Sequence, residues 1–594
     1  MEKGLQVAIR EHRRGNVREA ERLYREALKD ETVRDDASKL LAAMLLQQQR
    51  FVEAAELLHE LAERNPGSAE VHNNLGVALK AAGRRREAAE AFERALASDP
   101  RYSQAWYNLG LLVFESGHPA EAEPCFRNCI ALCPSDTDAY WQLAAVLSAQ
   151  GRRDEAEAVY RQLLEVQPSH VAAMVNLAGI LVQRQRWDEA ETLFRDVLRY
   201  KPEFAEIHSN LSYVAEQQGR FEEAIEHARR ALRLKPSLAD AHNNWGVALR
   251  SLHQLQEACQ HFEQALRLRP DFALAEFNLA TTRLLSGDFT EGWPGYERRF
   301  EAAGQTPRRF TQPRWDGRSC PGQCVLVYSD QGFGDAIQFV RFLRLLKERT
   351  QATVLLESPA ELALLLANVD GVDEVVRAGE PLPAFDFHLP LASVPVVLDA
   401  DEAMIRTDVP YLHAADTPRA ELQQLLHQAG SGRSKVGLVW QGNPAQQRDA
   451  LRSCPLDRWL ELADVSDICF FSLQTEPSGR EQLIALADRW PIVDLGAHLR
   501  DFADTAAVLE QLDLLISVDT AAAHLAGALG RPVWTLLCHT PDWRWLLDRP
   551  DTPWYPTMRL FRQPQWGDWP AVIRQVRAEL IRWVERRGHS EPTT

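Results

Sequence analysis

Along the first three hundred residues the apolar positions fall at helical spacing in short paired segments, and the pairs themselves recur. Proline marks the period: Pro66, Pro100, Pro134, Pro168, Pro202, Pro236 and Pro270 stand 34 residues apart. In the unit that begins at Ala69, Leu75 and Gly76 are followed by Ala88, Phe92 and Ala95 before Pro100 closes it. This is the tetratricopeptide pattern, in which small residues sit where two helices of a hairpin cross and an aromatic fills the gap to the next hairpin. The same register runs backwards to units at residues 1 and 35, with Ala8, Ala20, Tyr24 and Ala27 in the first. Eight units and part of a ninth are predicted over residues 1–300. The ninth departs from the pattern, with Gly292 and Arg299 in place of the usual alanines, as expected where an array meets another structure.

Hairpins of this kind stack into a superhelix whose inner face is lined by the first helix of each pair. There the sequence sets a column of amides: Asn74, Asn108, Gln142, Asn176, Asn210, Asn244 and Asn278. An amide both donates and accepts, so the column can hold an extended polypeptide by its main chain, or it can tie each repeat to its neighbour. Periodicity does not choose between the two.

After a junction at residues 301–322, rich in Pro, Gly and Arg, the pattern changes to short apolar runs alternating with amphipathic segments. VLVYS, ATVLLES and DEVVRA are separated by AIQFVRFLRLLKE and ELALLLANV. The rhythm restarts with VGLVW and continues through ICFFSLQ, PIVDLG, LDLLISVD and PVWTLLC. The fold class expected is therefore α plus α/β: a repeat superhelix, an N-lobe at 323–430, and a C-lobe at 431–594 ending in a helix. Two doubly wound lobes face each other across a cleft, and ligands in such sheets bind beyond the strand ends.

Composition narrows the chemistry. A formal net charge of −17 over 594 residues argues against nucleic acid as a partner. No apolar run reaches the ~20 residues of a membrane span, and MEKGLQVAIREHRRG reads as an amphipathic helix and not as a secretory signal. Nine cysteines, an odd and scattered number, suit a cytoplasmic protein. Cys125, Cys129 and Cys133 share a helical face, where small buried residues are needed anyway. Asp399 and Asp401 form an Asp-x-Asp triplet of the sort that chelates a divalent ion, but Pro395 just before them argues against a central strand there.

The candidate site is read from the strand ends. Gly334 and Asp335 follow VLVYS, and Asp335 either caps a helix or faces the cleft as a base. LDLLISVD ends in Asp519 and Thr520, which stand where a helix begins; Ala521, Ala522 and Ala523 let a diphosphate approach its amides, and His524 follows on the first turn. A plain capping turn with a satisfied histidine is the competing reading. Gly442 and Asn443 can bring backbone near a pyrophosphate, with Arg448 or Arg452 offsetting its charge. Gln474, Asp494 and Leu495 end two further strands, on the side expected to meet base and ribose. Six tryptophans, at 534, 543, 545, 554, 566 and 569, crowd the C-lobe, where aromatic faces suit sugar rings or packing.

SVDTAAAHLAGALGRP resembles the phosphate-binding signature of the lipopolysaccharide heptosyltransferase family, and QGFGDAIQFVRF resembles that family's N-lobe loop. The likeness runs from Gln323 to the end. It implies a GT-B fold, a nucleotide-diphosphate sugar as donor, no metal or other cofactor, and Asp335 as general base. The amide column resembles that of O-GlcNAc transferases, and the whole chain resembles bacterial repeat-linked glycosyltransferases, some of which modify proteins such as flagellin. The implied activity is inverting transfer to a Ser or Thr hydroxyl of a protein held along the repeats. Transfer to a glycan, and a non-catalytic scaffold that binds nucleotide or sugar, stand as alternatives. Two departures from the family are Ala521, where glycine is usual, and CHTPDWRWLLDRPDTPWYP, which replaces a Gly-Pro segment.

Overall fold

The computed structural model describes residues 2–406, 409–414, 417–430, 432–444, 446 and 449–588. Eighteen helices pair as hairpins from Glu2–Arg13 to Phe289–Tyr296, and the strands begin at Cys324. The chain divides into two compact units, Met1–Ile207 and His208–Thr594.

In the first unit the hairpins are built as the repeat pattern requires. Phe92 and Phe126 are wholly buried. A Cβ on Gly76 would lie 2.5 Å from the Phe92 ring, so the two helices can cross only over a bare backbone. Cys125 and Cys129 are buried among these helices, and burial pushes their thiols up to about 11 and about 12. All nine cysteines are free.

The second unit opens with the last hairpins and carries the α/β part. This unit begins within the repeats, which run on to about residue 300, and its hairpins pack directly on the lobes. Phe221 lies edge-on to Trp566 with ring centroids 5.2 Å apart, and His253 stacks on His539 at 4.7 Å. The atypical ninth hairpin goes further. Phe289, Trp293 and Tyr296 join Phe339, Phe342, Trp543 and Trp554 in one buried core, and the Trp293 indole donates to the Ala400 carbonyl at 2.8 Å. Each fully buried ring of this size contributes about 1.5–3 kcal/mol.

The N-lobe sheet has four parallel strands, β1 (Cys324–Tyr328), β2 (Thr353–Ser358), β3 (Glu374–Arg377) and β4 (Phe387–Pro390), in the order β3-β2-β1-β4. The fourth, FHLP, is too short to register as an apolar run. Its edge is covered by the junction, whose Trp315 amide donates to His388 O while His388 N donates back to Pro313 O. The segment read as one helix after β1 is instead a helix (Phe333–Phe339), a 3-10 turn (Val340–Phe342) and a second helix (Leu343–Thr350).

The C-lobe sheet has six parallel strands: β5 (Ser434–Val439), β6 (Ile468–Ser472), β7 (Val493–Asp494), β8 (Leu514–Val518), β9 (Val533–Leu537) and β10 (Met558–Arg562). Their order is β10-β9-β8-β5-β6-β7. Chain order therefore reverses between β5 and β8 here, and between β1 and β4 in the N-lobe. Loops diverge at such points and leave a crevice, so the loops after β1, β5 and β8 are the ones that line a site. The helix Trp569–Gly588 closes the outer face of the C-lobe sheet through Val572, Ile573, Val576 and Leu580.

Candidate active site

Asp335 stands in the first turn of the helix Phe333–Phe339, and its two carboxylate oxygens have different partners. Oδ2 accepts from the Gly332 amide at 3.0 Å, which caps the helix. Oδ1 reaches across the cleft to the guanidinium of Arg544 in the C-lobe. One oxygen thus caps the helix and the other pairs with the C-lobe. Burial pushes the carboxyl above the usual carboxylate range; the Arg544 charge opposes this, while Asp542 and Asp330 reinforce it.

Opposite lies the start of the helix Ala521–Ala528. Thr520 occupies its N-cap position without capping: its hydroxyl pairs with Ser517 Oγ at 2.9 Å. The plain capping turn is therefore not what is found, and the helix start carries its partial positive charge toward the cleft. Ala521 and Ala522 are half-buried and Ala523 is wholly buried. Asp519 is pushed up to about 6, chiefly by burial and then by Asp542, with Arg452 pulling down. His524 is buried; its Nδ1 meets the Tyr555 hydroxyl at 2.8 Å and its Nε2 lies 3.8 Å from Asp519. Burial, then the charges of Arg544, Arg341 and Arg452, hold this imidazole far below its ordinary value, so it is neutral. Gly334 brings the two helices together, for a Cβ there would sit 2.9 Å from His524 Cδ2.

The loop after β5 forms the third wall. The Gly442 amide donates to Ser453 Oγ at 3.1 Å, and any side chain on Gly442 would strike Asp449. Arg452 donates to Asp449 at 3.2 Å and to Gln446 at 2.6 Å. The Gln446 amide in turn faces Gly332 of the N-lobe loop. Asn443 is exposed beside them. Arg448 lies outside the described residues. Further along, Gln474 is buried and its side chain bonds both the N–H and the carbonyl of Gln441. Asp494 accepts from Arg480 and from the Ala497 amide, and the Leu495 side chain is wholly in the core. These three hold the walls of the site in place, and their side-chain groups are already occupied.

Several groups escape sequence reasoning. Arg544 and Asp542 come from the segment that departs from the family pattern, and Arg544 is bound by Asp335, Asp542 and Gln338 together. Arg341 crosses between the lobes, donating to Ile405 O, Trp554 O and the Tyr411 hydroxyl at 2.9–3.0 Å. Arg299, at the end of the repeats, is 5% exposed and grips Asp330 in the loop that precedes Asp335, at 2.6 Å. Asp330 in turn accepts from the Ala392 amide. The available signals were an arginine between two tryptophans at a strand end, and an arginine where the repeat calls for alanine.

The amide column is engaged largely between repeats. Asn108 donates to Asn73 at 2.8 Å, Asn244 to the Ser209 carbonyl at 2.9 Å, and Asn278 to Asn243 at 2.9 Å, each reaching back to the preceding repeat. Asn176 donates to Tyr160, Gln142 bonds Tyr107, and Asn74 accepts from Asn73. Asn210 is half-buried. In the Asp-x-Asp triplet, Asp401 caps a short helix at the Met404 amide. Among the described residues no three His, Cys, Asp or Glu side chains are grouped to hold a metal ion.

The structure defines a class of protein by its architecture, helical repeats that lead into two parallel-sheet lobes, and comparison with known proteins agrees at that level. The chain carries tetratricopeptide repeats at its N-terminus and a glycosyltransferase family 9 (heptosyltransferase) domain at its C-terminus. The family 9 model matches residues 450–571, and tetratricopeptide models match 12–77 and 239–272. A model of the C-terminal domain of cilia and flagella-associated protein 70 matches residues 61–252. The family 9 match takes in the 519–524 turn and Arg544 but begins beyond Asp335.

Among individual proteins, the chain is similar to Protein FlbA of Caulobacter vibrioides, 27% identical over 332 residues, covering 52% of this chain and 55% of that protein. The chain thus spans about half the length of the curated relative it matches. Solved structures resemble parts of it at low overall similarity. YrrB, described as a TPR protein with an unusual peptide-binding site, is 20% identical over 32% of this chain and 96% of its own, with a TM-score of 0.29. The C-terminal part of a TPR repeat-containing protein from Cytophaga hutchinsonii is 15% identical over 40% and 98%, with a TM-score of 0.35. Among the described residues no helix is long and apolar enough to cross a membrane.

Proposed function

We propose that the chain is an inverting glycosyltransferase that moves a sugar from a nucleotide-diphosphate donor to a Ser or Thr hydroxyl of a protein, without a metal ion. The observation that carries this reading is the meeting of Asp335 with the 521–528 helix start across the cleft, through Gly334 on His524. In the proposed reaction the acceptor hydroxyl attacks the anomeric carbon as its proton passes to Asp335, and the glycosidic C–O bond to the diphosphate breaks on the opposite face. The leaving charge is taken by the helix start at Ala521 and Ala522 and by Arg452, with Gly442 and Asn443 bringing main chain close. His524, neutral and braced by Tyr555, serves as a hydrogen-bonding partner for the sugar or its phosphate.

A panel of nucleotide sugars, offered with candidate acceptors such as flagellin in the presence of a chelator, tests this by release of nucleoside diphosphate and by the mass of the acceptor. Asp335→Asn is expected to bind donor and to lose turnover by ~10²–10⁴-fold. Turnover at the wild-type rate would remove Asp335 from the reaction. A second reading, in which the acceptor is a glycan, is favoured by one observation: the donors of Asn108, Asn244 and Asn278 are already engaged with the preceding repeat. Product on a small hydroxyl acceptor, with none on any protein, would select it.

A further inference from the structure

Arg544 sits on a short 3-10 turn, Trp543–Trp545, between β9 and β10. Its side chain is 9% exposed and every nitrogen of the guanidinium is engaged. Nη2 binds Asp335 Oδ1, Nε binds Gln338 Oε1 on the same N-lobe helix, and Nη1 binds Asp542 on its own turn at 2.7 Å. The guanidinium carbon lies 4.4 Å from the centroid of the Trp543 ring and 5.6 Å from that of Phe339. A cation fixed from this many directions is a stationary strut.

We propose that Arg544 is the positioning residue for Asp335, holding its carboxylate oriented and charged across the closed cleft, so that the base is armed only while the two lobes are together. The catalytic sense of this proposal rests on the glycosyltransferase reading; the pairing itself does not. A carboxyl in a buried site tends to stay protonated, and in that form it cannot accept the acceptor's proton. The groups facing Asp335 are Asp330 on its own lobe, Tyr296 from the last repeat, and Asp542 and Arg544 from the C-lobe. His524, which packs on the neighbouring Gly334, is neutral. Both aspartates favour protonation and Tyr296 carries no charge, its hydroxyl being pushed up by burial. Arg544 and the Gly332 amide act in the opposite sense.

The test uses the full chain and, in its first arm, no ligand. Thermal unfolding is measured for the wild type, Arg544→Gln, Arg544→Lys, Asp335→Asn and the Arg544→Gln/Asp335→Asn double variant between about pH 5 and pH 8. The carboxyl at 335 lies above its ordinary value in the fold, so its stabilising effect is complete below the unfolded value and is lost as pH rises through the folded one. Without Arg544 the folded value rises further, because the charge that opposes burial is gone. Arg544→Gln should therefore lose Tm relative to wild type as pH rises across this window, the loss should shrink in the Asp335→Asn background to the part carried by Asp519, which also feels the Arg544 charge, and Arg544→Lys should restore the wild-type slope. Effects of the two substitutions that add at every pH would overturn the proposal.

In the second arm, with a donor identified by product release, Arg544→Gln should lower kcat by ~10²-fold near neutral pH and recover at higher pH, with donor KM little changed. An unchanged pH profile would overturn the arming role. Coupling in the first arm together with no transfer by the wild type would leave the pair standing and sink the transferase reading, so the two failures are distinct.

Discussion

A methyl group on residue 334 would stand 2.9 Å from the His524 ring, which is itself pinned between Trp545 and Tyr555. That ring has nowhere to retreat, so Gly334→Ala must push the 333–339 helix away from the 521–528 helix. We expect a cost of about 1–3 kcal/mol in stability from overpacking. Under the transferase reading kcat falls by more, because a displacement of ~1 Å at the reacting groups costs ~10²-fold. Steady-state kinetics beside thermal melts would separate the two effects; a variant that melts early but turns over normally would contradict the close approach. That Gly334, Asp335 and His524 lie near one another was legible because each follows the carboxyl end of a strand that the apolar pattern marks. Arg544 was not, since its meaning depends on a partner 209 residues away in the chain. Gln474 and Asp494 show the converse: a strand end nominates them, yet their polar groups turn back to hold Gln441 and Arg480.

At the scale of elements, the last repeat helices and the N-lobe loop are joined by a buried ion pair. Arg299 and Asp330 are 3% and 2% exposed at their side chains. Removing one partner leaves an uncompensated charge in the interior, so Arg299→Met should destabilise by about 3–5 kcal/mol. Thermal unfolding should register this as a fall in Tm on the order of 5–10 °C. The double variant Arg299→Met/Asp330→Leu should recover most of the loss, since an apolar pair of similar volume replaces a buried ion pair at little cost. Failure to recover would mean that Asp330 is needed for the loop through its bond to the Ala392 amide. The repeats were readable because a strict period multiplies a weak signal, and the parallel strands because apolar runs stand out between polar turns. β4 and β10 were not: FHLP is four residues long, and in MRLFR basic residues interrupt the run. Tertiary pairing with β1 and β9 makes them strands.

For the whole molecule, the division at 207/208 defines what can be removed. The three hairpins after it share aromatic contacts or core with the α/β part, through Phe221, His253 and the Trp293 cluster. A variant that begins after Tyr200, where the preceding helix ends, should stay folded and soluble, with the melting behaviour of an intact α/β part. A variant that begins after residue 300 would expose Phe339, Trp543 and Trp554 and should aggregate. Size-exclusion chromatography of the two distinguishes this from a boundary at 300. If the longer truncation proves well behaved, the last hairpins are not part of the folding unit that holds the two sheets.

The bonds of Asn108, Asn244 and Asn278, each reaching back by one repeat, give the array a modular grammar. Every such hairpin leans on its forerunner, and the ninth is specialised for its neighbour. Gain or loss of a hairpin near the amino end would leave the pairing of Asp335 with Arg544 untouched, so lineages can retune the array's length by duplication while the α/β part stays constant.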